Sequence, residues 1–80
     1  MSLPVNKGIE TKDWSQVSGQ VKVAYYNKDR QSMIVEFKSG GIYAYLNVPI
    51  EVWNKSLNAS SIGKFLNTDV KPYYKVTKLN

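Results

Sequence analysis

The sequence predicts a single α+β domain: a three-stranded antiparallel meander followed by two helices packed on one sheet face. Three observations predict it. Residues alternate in polarity over 21–25 and 33–37, the period of half-buried strands. Ser39-Gly40-Gly41 lies between two strand-like runs, where glycine tolerates the positive φ of a tight hairpin. After Pro49 the apolar spacing changes to that of a helix.

Each element follows in order. Residues 1–18 are polar and mixed and read as an N-terminal arm, anchored by Trp14 and Val17; the domain proper spans 19–80. Val21, Val23 and Tyr25 alternate with Gln20, Lys22 and Ala24 in the first strand. The polar stretch Asn27-Lys28-Asp29-Arg30-Gln31 is a turn. Met33, Val35 and Phe37 alternate with Ile34, Glu36 and Lys38 in the second strand. Ile42 to Leu46 forms the third, and short loops between them make a meander. Pro49 opens a helix in which Ile50, Trp53 and Leu57 form one stripe, with Glu51 in its first turn complementing the dipole. Asn58-Ala59-Ser60-Ser61 interrupts the run, and serine there caps a second helix. Ile62, Phe65, Leu66 and Val70 share a face of that helix, which Pro72 stops. Tyr73 to Leu79 has strand composition and reads as a short edge strand or a tail.

Composition bounds the function. Eighty residues make one domain, and such a chain buries only about 60–65% of its unfolded surface. No apolar run is long enough for a membrane span. No charged-then-apolar leader opens the chain, so a cytoplasmic location is the default expectation. The net charge is +5, from ten lysines and the single Arg30. Lys64, Lys71, Lys75 and Lys78 meet only Asp69 in the last seventeen residues. A basic end suits phosphate-bearing partners, and it also serves plain solubility. Scarce arginine argues against forked reading of guanine edges.

Catalysis is tested by inventory. With no histidine and no cysteine, the usual base, thiol nucleophile and transition-metal ligands are gone. The carboxylates Glu10, Asp13, Asp29, Glu36, Glu51 and Asp69 are scattered, and no glycine-rich phosphate loop occurs. The expectation is a non-enzymatic protein without catalytic residues, metal or cofactor.

Two motifs carry binding chemistry. Tyr43 and Tyr45 point to one sheet face, and the hairpin decides which. A two-residue turn at Ser39-Gly40 puts them with Lys22, Tyr26, Ile34, Glu36 and Lys38, an aromatic platform flanked by lysines. A three-residue loop with a glycine bulge puts them with Val35 and Phe37 in the core. The second motif is Ser60-Ser61-Ile62-Gly63-Lys64-Phe65-Leu66-Asn67. A helix start offers free N–H groups for an anion. Ser60 and Ser61 add hydroxyls, Gly63 permits close approach, and Lys64, Asn67 and Lys71 share the polar helix face. A serine-capped helix with a solvated lysine face explains the same residues without a ligand.

The run from Glu36 to Tyr45, Val48-Pro49, Ser61 to Asn67 and Tyr73-Tyr74 together resemble the KTSC domain family. The family is named for a domain at the C-terminus of some lysyl-tRNA synthetases and occurs also as small stand-alone proteins of bacteria and phages. The resemblance runs from about Val17 to Tyr74 and leaves the arm outside. It implies an α+β domain centred on Tyr43-x-Tyr45, and the synthetase context implies RNA binding. Where members often carry arginine between the two tyrosines, this chain has Ala44. The basic position after Gly63 is kept as Lys64.

The functional expectation is a binding domain for single-stranded nucleic acid or a small nucleotide, held or sequestered. Ser60, Ser61, Gly63, Lys64, Asn67 and Lys71 would hold phosphate. Tyr43, Tyr45, Tyr73 or Tyr74 would stack on bases. The alternative is a protein-interaction module or homo-oligomeric adaptor that uses the open sheet face, with Trp14, Tyr26, Ile34 and Tyr43 exposed as its contact patch.

Overall fold

The computed structural model describes residues 8–80 and shows a five-stranded antiparallel sheet in the order β1-β2-β3-β4-β5. The strands are β1 (Ile9–Asp13), β2 (Val21–Asn27), β3 (Ser32–Phe37), β4 (Ile42–Tyr45) and β5 (Val76–Lys78). Helix α1 spans Ile50–Leu57, and α2 spans Ile62–Phe65 and runs on into a π-helical turn over Leu66–Val70. No helix among the described residues is long and apolar enough to cross a membrane.

The meander forms as the alternation requires, and it gains a strand at each edge. From Ile9 to Asp13 the arm pairs antiparallel with β2; the stretch 1–7 lies outside the described residues. The chain end pairs with β4 through Val76–Lys78. The meander of three is therefore the centre of a sheet of five. These edge strands carry little apolar patterning because their side chains stay largely in solvent, as does the backbone row that faces away from the sheet.

The three-residue form of the hairpin is the one present. The Phe37 N–H donates to the Gly41 carbonyl at 2.8 Å, and the Gly40 N–H donates to Phe37 O at 2.9 Å. Gly40 takes φ +106°, the left-handed conformation a side chain disfavours. A Cβ on Gly41 would stand 2.9 Å from the Tyr43 ring. Tyr43 therefore pairs across from Val35, and Tyr45 from Met33, which puts both on the core face. The aromatic platform with Lys22, Tyr26, Ile34, Glu36 and Lys38 does not form.

A bulge at Lys22 changes the face of β2. Val21 pairs with Phe37, but Val23 pairs with Glu36, so one extra residue enters β2. Val21, Ala24 and Tyr26 are buried, whereas Val23 and Tyr25 are half-buried on the far face. The simple alternation of Val21, Val23 and Tyr25 is corrected accordingly; a bulge reverses parity beyond it.

Both helices cover the face that holds Val21, Ala24, Tyr26, Met33, Val35 and Tyr45. Trp53, Ile62, Leu66 and Val70 complete the core. Pro49 precedes α1 in extended conformation, with φ −64° and ψ 152°, so the helix begins one residue later than its proline. Trp53 is fully buried and stacks on Tyr26 at 5.6 Å between centroids. Its indole N–H donates to Glu10 Oε1 at 2.7 Å, and the Tyr26 hydroxyl donates to Val48 O at 2.6 Å. Burial raises the Tyr26 hydroxyl pKa, with Glu51 and Glu10 adding to the shift. The Trp53 hydrogen bond, then Lys28 at 3.1 Å, hold the Glu10 carboxyl below the ordinary range.

Candidate cationic cleft

The turn after β1 makes one wall of the main cleft. Trp14 O accepts from the N–H groups of Val17 and Ser18. Asp13 Oδ1 accepts from Ser15 N at 2.7 Å and from its hydroxyl at 2.6 Å. Ser18 Oγ accepts from Gln20 N and Val21 N. These short-range bonds fix the turn without an apolar core of its own. The Ser15 hydrogen bonds keep the Asp13 carboxyl below its usual pKa.

The start of α2 makes the opposite wall. Ser61 Oγ accepts from Lys64 N at 3.3 Å, so the serine caps the helix as its position suggests. That bond uses the hydroxyl on the chain itself. A Cβ on Gly63 would lie 2.5 Å from Gln20 Oε1. The space beside Gly63 is therefore filled by Gln20, across the cleft, and the close approach it permits is that of a side chain of the same protein.

Between these walls lies a depression of about 800 Å³. Lys12 and Lys64 bring charge to it, and Ser60, Ser61, Gln20 and Asn67 bring polar groups. Trp14 lies against it at 4% exposure. Lys12 Nζ stands 5.3 Å from the Trp14 ring centroid, within cation–π range. The Trp14 indole N–H is buried and meets no acceptor among the described residues. Among the described residues no carboxylate lines the depression.

The residues singled out from sequence divide among three places. Ser60, Ser61, Gly63, Lys64 and Asn67 come together in the main cleft. Tyr43, Tyr45 and Lys71 line a second depression of about 310 Å³, with Phe37 and Ser39. Tyr73 and Tyr74 meet edge to face at 6.5 Å beside a third, which also holds Lys55 and Asp69. Tyr45 is buried, and burial followed by Tyr43 raises its hydroxyl pKa. Tyr43 is half-buried, edge-on to Phe37 at 5.6 Å. Trp14 and Tyr26, expected on an exposed contact patch, are core residues instead, because their rings face the helices.

Lys12, Trp14 and Gln20 were not among the residues singled out for holding a phosphate-bearing ligand. A signal for two of them existed: Lys12 and Trp14 are two apart, the spacing of one strand face. The sheet carries helices on one face, and the cationic cleft opens beside the start of α2. The family model of the KTSC domain matches residues 17–74, and the chain belongs to the KTSC domain family. A protein of Tsukamurella paurometabola is 36% identical over 62 residues, which covers 78% of this chain and 92% of that relative. A lysine–tRNA ligase of Nostoc sp. is 33% identical over 60 residues, 75% of this chain but 11% of the ligase. The crystal structure of a KTSC domain protein from Yersinia pestis superposes with a TM-score of 0.81 at 24% identity, over 90% of this chain and 99% of that one. That likeness concerns the fold.

Proposed function

We propose that this chain is a non-enzymatic binding domain for a phosphate-bearing ligand, a single-stranded nucleic acid or a nucleotide, held in the cleft between the Trp14–Gln20 turn and α2. One observation carries the reading. Lys12 and Lys64 face a depression of about 800 Å³ with no carboxylate on its walls, so an anion there meets two cations and no repulsion. Ser60, Asn67 and Gln20 supply hydrogen-bonding groups for phosphate or base edges. The size lies within the range of small-ligand sites. The name of the Nostoc relative adds support, since that whole enzyme joins lysine to tRNA.

Lysine suits such a role as a point charge on phosphate and leaves sequence unread. The expected behaviour is therefore strong salt dependence with weak base preference. In a titration of single-stranded oligonucleotide from 50 to 200 mM salt, each phosphate neutralised contributes about −0.7 to the slope of log affinity on log salt. Lys64→Glu flattens that slope and lowers affinity. Affinity that ignores salt, or a Lys64→Glu protein that binds like the parent, overturns the proposal.

A further inference from the structure

We infer that the ligand is a single strand followed along a continuous groove, of which the Lys12–Lys64 cleft is one end and the Tyr43–Lys71 depression the other. This rests on the phosphate-binding reading of the main cleft. The observation behind it is that three depressions share walls. Gly19 and Gln20 line both the main cleft and a middle depression of about 310 Å³. Phe37 and Ser39 line both that middle depression and the one beside Tyr43 and Lys71. The three depressions thus adjoin one another in a line from α2's start, past the β3–β4 hairpin, to β5.

Charge is arranged along this line. Lys12 and Lys64 stand at one end, Lys38 in the middle and Lys71 at the far end. Lys78 Nζ lies 6.0 Å from the Tyr43 ring centroid, adding a cation beside the far end. None of the chain's six carboxylates lines any of the three depressions. Four of them are engaged elsewhere: Glu10 with Lys28, Glu36 with Lys22 at 3.6 Å, Asp13 with Ser15, and Asp69 with Thr68. The depression outside the line, beside Tyr73 and Tyr74, contains Asp69. A cationic track with rings beside it is the arrangement that holds a strand without reading its sequence. Phe37 and Tyr43 are the half-buried rings on this track and present surface on which a base can stack.

Lys38 is placed to join the two ends. Its ammonium donates to Ser15 O at 2.9 Å and its backbone N–H to Gln20 O at 2.8 Å. The hairpin is thereby tied to the turn that walls the main cleft, and the two halves of the groove are held as one surface.

The test is the dependence of affinity on strand length. Uridine monophosphate and oligouridylates of increasing length are titrated at 50 mM salt, with oligothymidylates in parallel to separate RNA from DNA. Affinity should climb with length to on the order of four nucleotides and then level. The double variant Lys71→Ala, Lys78→Ala, both at the far end, should lower the salt slope for the long strand by about 1.4. It should leave the mononucleotide isotherm unchanged, with an unaltered melting midpoint showing that the fold is intact. Lys64→Ala should weaken both ligands. A mononucleotide that binds as tightly as the octamer, with the double variant neutral, overturns the groove and leaves the cleft standing. Failure of every ligand to bind, or a neutral Lys64→Ala, overturns the cleft and the groove together.

Discussion

The two tryptophans belong to the same core and are treated differently by it. Trp53 is fully buried, stacked on Tyr26, and its indole N–H is satisfied by Glu10. Trp14 is nearly as buried, yet its N–H has no acceptor among the described residues, and a lysine stands over its ring. A buried donor without a partner costs about 1–3 kcal/mol, so a fold optimised only for stability has reason to avoid it. The Trp53 end is finished as structure. Trp14 instead lines the proposed cleft together with Lys12 and Lys64, with its N–H buried and unpartnered among the described residues.

Substitutions sharpen that contrast. The largest effect is expected from Trp53→Ala, which empties the centre of the core and should cost about 3–5 kcal/mol in chemical denaturation. An intact midpoint would mean that the core lies elsewhere. Next comes the conservative pair. Trp53→Phe loses the bond to Glu10, whereas Trp14→Phe removes a donor that had no partner. Melting curves should show Trp53→Phe clearly the less stable of the two, and the reverse order breaks the comparison. The smallest effect concerns pH. Because the folded Glu10 carboxyl is held below its ordinary value of about 4.5, its tie to Trp53 stabilises the protein fully above that pH. The contribution fades as pH falls below 4.5 towards the lower folded-state pKa. Glu10→Gln should therefore lessen the loss of stability on acidification in that window. An acid limb as steep as the parent's would assign it to another carboxylate, with Asp13 the next candidate.

Much of this architecture was legible in the residues, for reasons that also explain what was not. Strands β2 to β4 declare themselves by alternation, and the helices by Pro49, Ser61 and apolar spacing. Strand β1 does not, because Glu10-Thr11-Lys12-Asp13 has no apolar face and becomes a strand only by pairing with β2. The bulge at Lys22 is equally silent in a single sequence. The face of Tyr43 and Tyr45 turned on one residue of loop length, and the left-handed Gly40 decided it. At the cleft, helical spacing sufficed to group Ser60, Ser61, Gly63, Lys64 and Asn67. Lys71 follows directly after that helical run, but it lines the depression beside Tyr43 and Tyr45 instead. Lys12 and Trp14 were read as an arm, and both precede residue 17, where the family match begins. Part of one wall, Lys12 and Trp14, thus comes from outside the matched stretch, where the two-residue spacing was the one signal on offer.

The two indole N–H groups give the most direct test, since each should show its own proton resonance in a spectrum of the folded protein. On titration with a single-stranded octanucleotide at 50 mM salt, the Trp14 indole signal should shift progressively while that of Trp53 stays in place. Binding that moves the Trp53 signal and leaves Trp14 untouched would contradict the cleft as the place where the ligand sits.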